Sequence, residues 1–141
     1  MGIESVHPDF LRCMESWTRV GDVLSGRDAV MTRGEPYLPM LESHRSNSSD
    51  YAEYAGRGLW YGATGRTHDG FLGAIYRREP TLRLTRRTER MKNNATGTGD
   101  SFYTFSKFAT GQVIGKGRYG LFLDRPLDGG DPYIVGFGAG E

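Results

Sequence analysis

One cysteine, three histidines and no long apolar run leave this 141-residue chain little from which to build a cross-linked, metal-held or membrane-embedded structure. Cys13 alone cannot form an internal disulfide, and His7, His44 and His68 lie too far apart along the chain to set a metal-ligand spacing, which excludes structural zinc. The first twenty positions carry Glu4, His7, Asp9, Arg12 and Glu15, which excludes a membrane span or a secretory leader there, so a soluble intracellular protein is expected. Apolar residues are also scarce, at 37%, but an aromatic content of 12% is too high for disorder throughout. A single domain with a modest core is the expectation at this length.

A strong net charge is missing too. The total is +1, which argues against a bulk nucleic-acid binder, yet the charge is unevenly spread. Residues 1–70 carry a net −3 and residues 71–141 a net +4. The excess lies between Arg77 and Lys92, where seven cations face only Glu79 and Glu89. Arg83, Arg86, Arg87, Arg90 and Lys92 are the candidate contacts to phosphate. No aromatic is interleaved in that run, so stacking on bases is not suggested and a solvated linker is the competing account.

What the chain has in plenty is glycine, 21 residues, about twice the usual share of roughly 7%. An α+β fold is expected, mostly helical, with helices over about 8–24, 49–77 and 100–115 and a C-terminal β-hairpin over about 118–124 and 132–137. The first helix repeats Phe10, Met14, Trp17 and Val20 at helical steps and stops near Gly26; a short helical turn over 28–33 ends at Gly34. Ser48 or Ser49 is placed to cap the second. That helix would contain Gly56, Gly58, Gly62, Gly65, Gly70 and Gly73, each costing about 1 kcal/mol relative to alanine, unless the bare backbone lets a neighbour approach. Gly58, Trp60, Tyr61, Gly62, Gly65 and Phe71 are therefore the candidate packing or subunit interface; a break near Gly65 is the alternative. After Gly97-Thr98-Gly99, Asp100 or Ser101 caps the third helix, which ends at Gly115 or Gly117. Two strands alone are marginal in water, so the hairpin needs more strands or subunits, and the chain looks cut short. The organisation is an N-terminal helical segment (1–40), a long glycine-rich helix (41–80), a basic linker (81–99) and a helix plus hairpin (100–141).

Gly115 to Gly120 fits G-x-G-x-x-G and resembles a protein-kinase glycine-rich loop, but no lysine follows Lys116, which excludes a kinase. The motif runs from helix into strand, opposite to a dinucleotide fold, and reads as a helix cap and turn. Asp22, Asp28, Glu35 and Glu42 form no pair that spacing singles out, and no nucleophile elbow occurs. No catalytic site, cofactor or metal is expected. The acceptor-like triplets at Asn47 and Asn94 are chance matches without a secretory leader.

Several stretches together resemble the N-terminal part of a tailed-bacteriophage family of uncharacterised domains grouped with portal proteins. They are His7-Pro8-Asp9 with Trp17, Asp28-Ala29-Val30 through Gly34-Glu35 to Tyr37-Leu38-Pro39, and Tyr51-Ala52-Glu53-Tyr54 with Arg57. The densest runs from Trp60 to Thr67, followed by Gly70-Phe71-Leu72-Gly73, Ile75 to Arg78 and Pro80. Gly97-Thr98-Gly99, Gly117 to Leu121, Asp124-Arg125-Pro126 and Pro132-Tyr133-Ile134 complete the series. The resemblance implies a non-enzymatic ring subunit at one capsid vertex, found in the virion and, during assembly, in the host cytoplasm. It implies as partners further copies of the chain, capsid, terminase and head-tail connector proteins, and double-stranded DNA; no membrane partner is implied. Portal subunits are several times longer, so the chain would correspond to the outer helices and the start of the strand-containing body, and channel-lining residues cannot be carried over. The alternative is a small DNA-binding packaging accessory protein using residues 77–92.

Overall fold

The computed structural model describes residues 5–45 and 48–140. Helix α1 (Pro8–Ser25) starts where the Asp9 amide donates to His7 Nδ1 at 3.2 Å and proline fills the first turn, and it stops at Gly26, whose φ of 99° only glycine adopts readily. Helix α2 (Arg27–Arg33) follows at once and ends at Gly34. Asp22 on α1 accepts from Tyr37 Oη at 2.7 Å and Arg33 Nε at 2.9 Å, which folds the proline-containing turn back onto α1. Helices α3 (Glu42–Arg45) and α4 (Ser48–Arg57) pack through His44, Tyr51 and Tyr54, and Tyr51 donates to the Leu38 carbonyl at 2.9 Å. Helix α4 starts at Ser48, so Ser48 and Ser49, expected to cap it, lie within its first turn.

The single helix expected over 49–77 is two: α4 ends at Arg57, and α5 (Ala63–Ile75) begins after a non-helical stretch at 58–62. The break falls at Gly58, not at Gly65, which lies inside α5. Gly58 closes the last turn of α4 by donating to Ala55, and a Cβ there would sit 2.9 Å from Met31 Cε, so the chain passes directly against α2. Gly62 then caps α5 with ψ 46°, outside helical geometry. Glycine clusters permit both a helix and its interruption, and tertiary contact with α2 decides.

The basic stretch is without regular secondary structure from Pro80 to Thr85 and tightens into a 3₁₀ turn over Glu89–Lys92, whose Met91 is buried against α6 (Phe102–Lys116). Ser101 caps α6 by accepting from the Thr104 amide at 3.1 Å, and Gly117 ends it in the left-handed region at φ 80°. Strands β1 (Tyr119–Asp124) and β2 (Tyr133–Gly138) pair antiparallel with Leu121 opposite Gly136. The expected mostly helical α+β fold with a C-terminal hairpin is thus the observed one.

Helices α1, α5 and α6 meet pairwise, with Leu24 and Val20 against Gly115, and Leu72 and His68 against Gly111. The hairpin rests on this cluster at its base: Tyr119 packs against Phe105 and Phe108, and Arg118 stacks 4.1 Å above the Trp17 ring. Beyond the base it projects. Buried apolar side chains among the described residues are few: Val30, Met91, Ala95, Phe105 and Ala139.

Candidate assembly and nucleic-acid surfaces

The glycine-rich region divides into two environments. In the break, Trp60 folds back so that its Nε1 would lie 3.2 Å from a Cβ on Gly62, while Leu59 is fully exposed and Tyr61 points outward beneath the Arg66 guanidinium, 4.9 Å from the ring. Gly58, Trp60, Tyr61 and Gly62 thus belong to a turn, not to the helical ridge expected of them. In α5, a Cβ on Gly65, Gly70 or Gly73 would meet nothing within 4 Å. Gly65 borders a groove of 550 Å³ between α1, α5 and α6. Gly70, Phe71, Ala74 and Ile75 form the outward face of α5, with Phe71 59% and Ile75 57% exposed. Among the described residues, the glycines expected to admit a neighbour have none on that face.

His68 sits at the junction of α5 and α6. Its Nε2 lies 2.9 Å from the Gly111 carbonyl and its Nδ1 3.3 Å from Asp69 Oδ1. The Gly111 carbonyl, opposed by partial burial and assisted by Asp69, raises its pKa above the usual imidazole value of 6.5. Asp22 is shifted the other way: the Tyr37 hydroxyl bond, aided by Arg33, holds its carboxyl below 3.8. Both groups are absorbed in joining elements. Among the described residues no three His, Cys, Asp or Glu side chains gather as a metal site.

The basic candidates divide as well. Arg83, Arg86 and Arg87 are exposed, as Arg90 and Lys92 are. Arg90, however, donates to Asp131 at 2.9 Å in the hairpin loop, which raises its pKa and occupies it with an intramolecular pair. Lys92 and Arg78 border one groove of 660 Å³ together with Tyr76, Phe102 and Tyr103. Sequence order hid that juxtaposition, because Phe102 and Tyr103 come from α6, some ten residues beyond the basic run, and Tyr76 ends α5 just before it; only the expectation that α6 folds back over the linker would have revealed it.

The glycine motif at 115–120 performs as a cap and turn. A Cβ on Gly115 would sit 2.9 Å from Leu24 Cδ1, Gly117 supplies the left-handed cap, and Gly120 faces Phe137 across the ladder. Asn94 is likewise structural: its Oδ1 accepts from the Gly99 amide at 2.8 Å, closing the loop whose Ala95 carbonyl accepts from Ile134 of β2 at 2.7 Å.

No helix among the described residues is long and apolar enough to cross a membrane. No family model matches the chain, and no similar curated protein is found.

Proposed function

We propose that this chain is a non-enzymatic structural component of a phage head, a portal-like ring subunit or its N-terminal part at the capsid vertex, where it supports DNA packaging and head-tail joining. It would act in the virion and, before that, in the host cytoplasm. The observation that carries an assembly role is surface area. The chain exposes 10804 Å², whereas a compact monomer of 15.7 kDa exposes about 7,300 Å². The difference, roughly 3,500 Å² on one chain, exceeds the roughly 1,000–2,500 Å² that each partner contributes to a large obligate interface. Much of it is apolar: Leu59, Tyr61, Phe71, Ile75, Leu121, Phe122 and Leu123 are all more than half exposed. Patches of this kind mark surfaces that other protein covers. The phage assignment rests on the resemblance set out above. Light scattering on the purified chain at high concentration should return a multiple of 15.7 kDa, with closed rings visible by electron microscopy; a cooperatively folded, strictly monomeric species ends the proposal.

One observation favours a second role, DNA binding by residues 77–92: Lys92 and Arg78 share a groove with aromatic rings. Replacing Arg83, Arg86 and Arg87 by alanine would then weaken duplex binding at low salt and flatten its salt dependence. An unchanged titration leaves the segment a linker.

A further inference from the structure

The position of β1 in the sheet identifies a specific contact. Among the described residues β1 has one strand neighbour, β2, and Leu121, Phe122 and Leu123 are 61%, 56% and 60% exposed. The Ile134 amide donates away from β1, to the Ala95 carbonyl, so Ile134 and its partner Leu123 form a non-hydrogen-bonded pair of the hairpin. By alternation, Leu121 and Leu123 turn their main-chain N–H and C=O groups toward the outer edge of β1. That edge contains no proline and no charge between Tyr119 and Leu123, and lacks the devices that ordinarily keep edge strands apart.

We infer that β1 pairs antiparallel with β1 of a second copy about a two-fold axis at Leu121, making a four-stranded sheet. The register follows from side chains at the strand's two ends. With Leu121 opposite its own copy, Arg118 of each chain stands opposite Asp124 of the other, on the same face of the sheet. The same register sets Gly120 opposite Phe122, on the side of Gly120 away from the Phe137 ring that covers it from β2. It also sets Tyr119 opposite Leu123, in step with the alternation that turns Leu121 and Leu123 toward the edge. Shifting by two residues in either direction separates both ion pairs. Arg118 stacks on Trp17 through the face of its guanidinium, a contact that uses none of its in-plane N–H groups, and Asp124 accepts from Tyr133 and the Arg125 amide, which fixes its carboxylate. The contact is isologous and closes on itself. It is independent of the head-to-tail contact that a ring requires, and does not rest on the phage assignment.

Sedimentation equilibrium on the full chain tests it with four variants. Leu121→Pro removes an N–H that the hairpin does not use and should abolish the dimer. Arg118→Asp and Asp124→Arg each bring like charges together at both ends and should weaken pairing at least tenfold. The double swap, Arg118→Asp with Asp124→Arg, should restore it, while circular dichroism reports whether each variant remains folded. A wild type that is monomeric throughout, an assembly indifferent to Leu121→Pro, or folded single variants that dissociate without rescue by the double swap each overturns the pairing. If a single variant unfolds, the folded Leu121→Pro chain decides.

Discussion

His68 is the residue in which a titration is built into the packing. Protonated, it donates from Nε2 to the Gly111 carbonyl and from Nδ1 to Asp69, and so joins α5 to α6 and strengthens its own element; neutral, it must give up one of these donations. Its folded pKa is raised relative to 6.5, so its contribution to stability is fully present below pH 6.5 and is lost as pH rises through the folded value. Calorimetry from pH 5 to 8 should therefore show a melting temperature that declines across the upper part of this range, and a His68→Gln variant whose profile is flatter there. A variant as pH-sensitive as the wild type would place the titration elsewhere. Lys107 and Lys116 line the same groove, and Asp69 is the acidic group opposite them, so the charge faced by His68 is mixed.

At the scale of elements, the hairpin is held by a small clamp. Ala95 is fully buried, its amide donates to the Asp100 carbonyl, and its own carbonyl receives Ile134 of β2, while Asn94 ties the loop shut through Gly99. Asn94→Ala removes one acceptor and should cost about 1 kcal/mol in urea denaturation; faster hydrogen exchange should appear at Ile134, with α1 unchanged. Exchange that rises uniformly would show that the hairpin and helices unfold as one unit, with no local clamp. The residues that end elements here were legible: Gly26, Gly34, Ser101 and Gly117 each act within a few positions of themselves. The break at 58–62 was not, since Gly58 is fixed by Met31, twenty-seven positions earlier, and helical periodicity carries straight through the gap. Separation along the chain likewise hid the groove that Lys92 and Tyr103 both line, and the Arg90 to Asp131 pair that withdraws one cation from the basic run. Local chemistry reads out of sequence; contacts between elements distant along the chain do not.

For the whole molecule, the question is which exposed surface an assembly would cover. On the outward face of α5, Gly70, Gly73 and Ala74 lie low between Phe71 and Ile75, and among the described residues nothing lies within 4 Å of a Cβ placed on either glycine. Interior glycines destabilise α5, and among the described residues no packing on that face offsets them. Substitution of Phe71 and Ile75 by glutamate changes side chains that are already more than half exposed, so the isolated fold should lose no more than about 0.5 kcal/mol per site. In an assembly the same charges would be desolvated without partners, and the complex should dissociate. Because association makes melting concentration-dependent, the wild type should gain several degrees over a hundredfold rise in protein concentration, while Phe71→Glu with Ile75→Glu should melt at one temperature throughout. If the double variant keeps the concentration dependence, the covered surface is not α5, and the β1 edge, which the substitutions leave untouched, becomes the contact to which the association belongs.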